Sequence, residues 1–298
     1  MEVKLLYNVF HHHNFGFLIA TYFYLTGLSA GSFILTTLSY GFGMEKYKPL
    51  GKIGIVIATL LLIAAPAFLL LHVGKPLRAW HLFVYLHFTS PITWGSFFLT
   101  IYPLNCLIYG YFIFKEDERR ARIFGLIGIP LAILVHGYTG VILTVVKARP
   151  LWNSPLMPLL FLVSAIVSGI ALMIIVSMIK DRFFSQRKKV NEELILGLGQ
   201  LLGWAIIVDL FLVMCDLIKL SLGHRGDMQA AMLLLMGPFA WSFLGVETFM
   251  GKVIPLILVL NPRTRTVWWT ALASVLVVVG IFVMRCNIVL GGEYLPLI

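Results

Sequence analysis

Several ionisable side chains stand inside or at the ends of apolar stretches of this sequence, among them His72, His136, Asp209, Asp216, Glu247 and Arg285. An ionised group at the centre of a bilayer costs about 3 kcal/mol on the insertion scale, so such a group faces a pathway or a partner. Asp209 and Asp216 are seven positions apart and share a helix face. With Glu247, His136 and His72 they have the chemistry of a proton path. The structural alternative pairs Asp216 with Lys219 three residues on and lets Arg285 snorkel from the end of its helix. His136 also opens the run His136-Gly137-Tyr138-Thr139-Gly140, which leads toward Lys147-Ala148-Arg149-Pro150. On a continuous helix Tyr138 and Arg149 would point the same way, about 16 Å apart along the axis. A buried tyrosine hydroxyl needs a hydrogen-bond partner; a ligand carbonyl against an apolar wall would serve, and so would a neighbouring helix.

Two polar segments repeat one lettering. Lys75-Pro76-Leu77-Arg78-Ala79-Trp80-His81 leads to Thr89-Ser90-Pro91, and Arg149-Pro150-Leu151-Trp152 leads to Asn153-Ser154-Pro155. Each Ser-Pro reads as a helix start, with the serine side chain capping free N–H groups and proline at the first helical position. A chain that builds one basic, aromatic ledge twice at membrane depth is expected to bind something there.

The elements that must position these residues are membrane helices. Hydrophobic residues make up 60% of the chain and charged residues 12%, with a mean hydropathy of +0.94, which excludes an ordinary soluble domain. At about 20 apolar residues per span, the sequence predicts an all-α integral membrane protein with eight helices, near 16–43, 52–73, 92–114, 122–147, 155–180, 194–221, 230–260 and 267–290. Fourteen Lys and Arg lie in or beside the loops after helices one, three, five and seven, against eight on the other side. The positive-inside rule therefore puts both termini and both ledges on the outer face. The net charge of +10 is absorbed by inner loops and anionic headgroups, so no nucleic-acid partner is implied. Almost no length remains for a soluble catalytic domain, and a substrate active site is expected on another chain.

Other chemistries have weaker footing. The first apolar run is too long for a signal peptide and lacks a small-residue cleavage site. His11, His12 and His13 read as an interfacial flank rather than a metal site. Cys106, Cys215 and Cys286 stand singly, so no iron-sulfur cluster is expected on this chain. No helix carries two histidines at the spacing of stacked haems, although a haem b anchor stays open as an alternative. Gly27/Gly31 and Gly199/Gly203 are small-residue steps suited to close helix packing. A transporter with paired repeats is a further alternative, against which both ledges share one face.

Several ordered segments then resemble one family. Gly27-Leu28-Ser29-Ala30-Gly31-Ser32, Gly74 through Trp80, Ser90-Pro91-Ile92-Thr93-Trp94-Gly95-Ser96, Tyr138-Thr139-Gly140, Arg149 through Pro155 and Arg285-Cys286-Asn287 through Gly292 are similar to the NrfD/PsrC-type membrane subunits of polysulfide, nitrite, tetrathionate and related respiratory reductases. The resemblance covers nearly the whole chain. It implies two four-helix bundles without haem in a prokaryotic cytoplasmic membrane. It also implies exchange of electrons between menaquinone or ubiquinone and a ferredoxin-like iron-sulfur subunit on the outer face, with a molybdopterin, multihaem or hydrogenase-type catalytic subunit beyond. The resemblance implies a quinone contact at Tyr138 and brings in Tyr22 by position, while Lys75, Arg78, Trp80, His81 and Arg149 are expected to complete the quinone site at its outer mouth. Protons would move through His72 or His81 or, across the membrane, through His136, Asp209, Asp216 and Glu247. Tyr22 stands where some members have His, and His72 or Val73 where many have Asp.

Overall fold

Small residues decide which helices can become neighbours here. The computed structural model describes residues 15–183 and 191–295, and among these the order is α1 (Phe17–Tyr40), α2 (Lys48–His72), the short α3 (His81–Val84), α4 (Pro91–Phe114), α5 (Glu118–Thr144), α6 (Met157–Phe183), α7 (Glu192–Leu222), the short α8 (Arg225–Leu235), a π-helix (Trp241–Val253) running into α9 (Ile254–Leu260), and α10 (Val267–Tyr294). The chain is a multi-pass integral membrane protein, and among the described residues eight helices are long and apolar enough to span a bilayer. The histidine run and Lys4, Arg187, Lys188 and Lys189 lie outside the described residues.

In α1, Gly27, Ser29, Ala30, Gly31 and Ser32 are all buried, so that helix can approach several others at once. It packs on α2, α5, α6 and α10. At its crossing with α6, a Cβ built on Gly31 would stand 2.9 Å from the Gly169 Cα, and one on Gly169 would stand 2.5 Å from the Gly31 backbone. Gly27 faces the His136 ring at 2.9 Å from its would-be Cβ. The second glycine step is also used in packing, with Gly199 against Thr270 and Gly203 against Leu260 and Val259. Two apolar clusters result, one gathering α1, α6, α7 and α10 around Phe161, Ile195 and Ile281, the other joining α1, α2, α4 and α5 around Phe33, Tyr102 and Tyr109.

The seventh apolar stretch is not one helix. Gly237-Pro238 falls in the break between α8 and the π-helix; proline removes a donor and disfavours helix in the residue before it. The spanning segment is therefore Trp241–Leu260, with α8 apart. Capping also departs from expectation. Pro91 does open α4, but the Ser90 side chain makes no capping bond. α6 begins at Met157, two residues beyond Pro155; the Ser154 hydroxyl donates to Asp216 and accepts from the Leu156 N–H at 3.4 Å.

Phe17 of α1 and Tyr294 of α10 end at the same side of the helix array, termed the terminal face; the loop after α5 lies there too. There the Phe15 N–H donates to Glu293 Oε1 at 2.7 Å, and Arg149 and Trp152 donate to carbonyls of the α10 end.

Candidate functional site

Tyr138 and Gly95 are placed face to face by the crossing of α4 and α5. A Cβ at position 95 would overlap the Tyr138 ring and hydroxyl, so glycine is what allows this ring its seat. Around it runs a groove of about 440 Å³ lined by Phe88, Thr89, Pro91, Trp94, Phe98, Ile133, Leu134, Gly137, Tyr138, Val141 and Pro158. Trp94, Ile133, Leu134 and Val141 are exposed on the outside of the helix array, which makes the groove a lateral one, open to the bilayer. Trp94 is fixed by donation from Nε1 to the Phe88 carbonyl at 2.8 Å. Among the described residues no charged side chain lines the groove. Its polar groups are the Thr89 and Tyr138 hydroxyls and the tethered Trp94 indole, and the half-buried Tyr138 makes no side-chain hydrogen bond among the described residues. Tyr22, itself buried and with a hydroxyl that finds no hydrogen-bond partner among the described residues, lies within electrostatic reach of Tyr138.

The two ledges separate. The first stays at the surface: Lys75, Arg78 and Trp80 are exposed and His81 is half-buried, stacked edge-on to Trp80 and Tyr85. None of these four lines the groove; the same loop contributes Phe88 and Thr89 instead. His72 is half-buried beside Phe15. The second ledge is folded inward. α5 ends at Thr144, so the three-turn alignment of Tyr138 with Arg149 does not exist. Arg149 Nη1 instead donates to the carbonyls of Glu293 and Leu295, and Trp152 Nε1 to that of Ile288 at 2.7 Å. Their task is to bind a loop to the end of α10.

The intramembrane charges form a second centre. Lys252 is wholly buried, 2.8 Å from Asp209 and 3.4 Å from Glu247. Glu247 also accepts from Asn287 Nδ2 at 2.8 Å, and Asn287 Oδ1 accepts from Ser242 at 2.7 Å. Arg285 does not snorkel. It is 1% exposed, because α10 continues past it to Tyr294 and holds it among α5 and α6. Its Nη2 donates to Ser164 Oγ at 2.6 Å and to the Phe161 carbonyl at 3.1 Å, and the guanidinium lies over the Phe161 ring. That same Nη2 lies 3.2 Å from His136 Nε2, which is 2.8 Å from the Phe161 carbonyl. A protonated Nε2 can donate to the carbonyl, and an unprotonated one can accept from Arg285; the tautomer of His136 is thus coupled to the arginine. Asp209 and Glu247 are within electrostatic range of Arg285. Asp216 stands apart. It accepts from Ser154, whereas Lys219 pairs with Asp227 and with the Asn153 carbonyl at 3.0 Å each, so the expected Asp216–Lys219 pair is not made.

Of the expected proton-path residues, the structure brings Asp209 and Glu247 together on Lys252 and sets His136 beside Arg285, the two groups within electrostatic range of each other, and leaves His72 and Asp216 at a distance. Lys252 was missed by sequence reasoning. The signal was present: fourteen and eight basic residues account for 22 of the 23 Lys and Arg, and the one assigned to neither face is Lys252.

The sequence model of a family described as polysulphide reductase, NrfD, matches residues 7–296. A selenate reductase subunit of Mesobacillus selenatarsenatis is 31% identical, over 95% of this chain and 75% of that protein. The Hdr-like menaquinol oxidoreductase integral membrane subunit of Archaeoglobus fulgidus is also 31% identical, over 92% of this chain and 69% of its own length. A polysulfide reductase polypeptide of Wolinella succinogenes is 28% identical, over 92% of this chain and 93% of its own length.

Proposed function

The chain belongs to the polysulphide reductase NrfD family, and from that premise we propose that it is the quinone-reactive membrane subunit of a respiratory oxidoreductase in a prokaryotic cytoplasmic membrane. In this reading the terminal face points outward and docks a ferredoxin-like iron-sulfur subunit, which connects to a catalytic subunit of molybdopterin, multihaem or hydrogenase type. In this reading the helices form two four-helix bundles, with α1 contributing to both apolar clusters and so joining them.

The observation that carries the proposal is the Tyr138 groove. Its volume of about 440 Å³ lies in the range of small-molecule sites, its side opening suits a ligand arriving from lipid, and its walls offer the Trp94 and Phe98 rings to a flat headgroup. The Tyr138 hydroxyl donates to one ligand carbonyl, and Tyr22 behind it keeps a second hydroxyl within electrostatic reach. A bound quinol supplies two electrons and two protons on oxidation. Thr89 at the rim, with His81 on the same loop, gives protons a short way to the surface. Lys75, Arg78 and Trp80 present a basic, aromatic edge to a docked partner. Arg149, which the sequence alone assigns to the quinone, acts here by holding the loop that leads into Pro158.

Tyr138→Phe tests the reading. Removing one hydrogen bond of about 1 kcal/mol net lowers quinol-dependent reduction by the assembled complex roughly fivefold, with subunit assembly intact. Full activity in the variant overturns the assignment.

A further inference from the structure

Glu247 and Lys252 are five residues apart, and on a regular α-helix their side chains would diverge by about 140° around the axis. The backbone narrows that divergence. Residues Trp241–Val253 are wound in the π form, whose wider i→i+5 winding brings residues five apart closer to one face than an α-helix does. Glu247 and Lys252 accordingly share the inward face with 3.4 Å between Oε1 and Nζ. The wider winding is accommodated where the π-helix meets α10: a Cβ on Gly251 would lie 2.5 Å from the Gly280 Cα, and the converse holds. π-Helix normally occurs as single-turn bulges, frequently at functional sites; thirteen residues of it at a buried ion cluster is a long departure from that habit.

The charge count points the same way. Asp209, Glu247, Lys252 and Arg285 are each no more than 2% exposed, two anions and two cations with no net charge. Stability alone does not favour two carboxylates converging on one ammonium, since each buried charge loses its hydration and like charges repel. Such an arrangement is suited to exchange, because one carboxylate can take a proton while the other keeps the lysine paired. Hydrogen-bonding capacity is also unspent among the described residues: Arg285 Nε and Nη1 and His136 Nδ1 are buried without partners.

We propose that Lys252 is the pivot of a proton-exchange site with Asp209 and Glu247, and that the π-helical register of Trp241–Val253 serves to hold it between them. The energy source rests on the quinol-oxidising reading given under Proposed function. In the exchange step a proton from water on one side of the membrane bonds to a Glu247 oxygen; a carboxyl O–H forms, the Lys252–Glu247 ion pair breaks, and Lys252 stays with Asp209. When that proton departs toward the other side, the O–H breaks and Lys252 bridges both carboxylates again. No electron moves in this step. Arg285 and His136 join the cluster to the helix that carries Tyr138. Lys252 is a positioning residue, and the groups that change protonation are the carboxylates.

The test uses the assembled complex in proteoliposomes, reading quinol oxidation and proton movement together. Glu247→Gln/Lys252→Met removes one charge of each sign and keeps the cluster neutral. Quinol oxidation then stays within about twofold of the unmutated complex, since the groove is a separate site, while protons moved per electron pair fall to those released by quinol chemistry alone. Lys252→Arg, which keeps the cation, retains part of the transported fraction. An unchanged proton ratio in the double variant overturns the proposal. Should the double variant fail to assemble, redox-triggered infrared difference spectra decide: a protonated-carboxyl band present in the unmutated complex and missing in Glu247→Gln supports it, and identical spectra overturn it. An unmutated complex that oxidises quinol and moves no further protons sinks this proposal and leaves the quinone reading standing; one that oxidises no quinol sinks the quinone reading.

Discussion

Gly95→Ala is the sharpest probe of the groove, because it separates stability from activity. The added methyl would overlap Tyr138 Cζ, Oη and Cε1. Ordinary carbon contacts lie near 3.5–4.0 Å, so the ring must withdraw by roughly 1.5 Å. The overlapped atoms are at the free end of a side chain next to an open groove, and the ring can yield without moving either helix. The folding cost should therefore sit at the low end of the overpacking range, about 1 kcal/mol. The functional cost is larger. A displacement of about 1 Å at a site can lower rates by about 100-fold, and here the hydroxyl is moved and the ring swings into the space a headgroup needs. We expect quinol-dependent reduction by the assembled complex to drop between about 10- and 100-fold, further than for Tyr138→Phe. Melting temperature in detergent should change little. The control is a double-mutant cycle: with Tyr138→Ala the colliding ring is gone, and adding Gly95→Ala should then have little further effect. Equal losses in both backgrounds, or full activity in Gly95→Ala alone, would refute the steric argument.

Three further outcomes follow from the packing and the charges. Arg285→Met leaves two buried carboxylates facing one lysine and should destabilise the chain by about 3–5 kcal/mol, read as a fall in melting temperature, and Glu247→Gln in the same chain should recover much of it. Gly169→Val would push a side chain into the Gly31 backbone, which has no room to yield, so the yield of folded protein should collapse, whereas Gly16→Ala, whose methyl meets nothing, should leave it unchanged. Between α4 and α5, a hydrogen bond from Lys52 holds the Glu116 carboxyl below its ordinary range. A depressed carboxylate stabilises the fold above its unfolded pKa, near 4.3, and loses that contribution as pH falls through the lower folded value; Glu116→Gln should flatten this acid limb of the melting-temperature profile.

Hydropathy was a sufficient guide to the spans, because twenty apolar residues have few other fates, and it failed only where Gly237-Pro238 broke a run whose composition did not change. Side-chain roles were legible where they were local. Gly31 was readable as a packing residue; its partner Gly169, 138 positions away, was not. Tyr138 was singled out, but its seat on Gly95 comes from a helix crossing that no spacing rule encodes. The alternative in which Arg285 snorkels failed because it placed the residue at the end of its helix, and α10 runs on for more than two turns past it. Lys252 was hidden by its register, since five residues from Glu247 is the wrong interval for an α-helix. A reader counting in fives would have seen the pair.

Helix α10 completes what the middle of the chain leaves open. His136, the Phe161 carbonyl and Ser164 find Arg285 only when α10 arrives, at separations of 149, 124 and 121 residues, and the Phe15 N–H meets Glu293 across 278. At synthesis rates of about 5–20 residues per second, the nascent protein spends seconds in the membrane with these groups unmatched. Its polar interior is exposed to whatever else can donate or accept there, and quality control has that interval in which to recognise an unfinished chain. A truncation before α10 would extend the interval indefinitely.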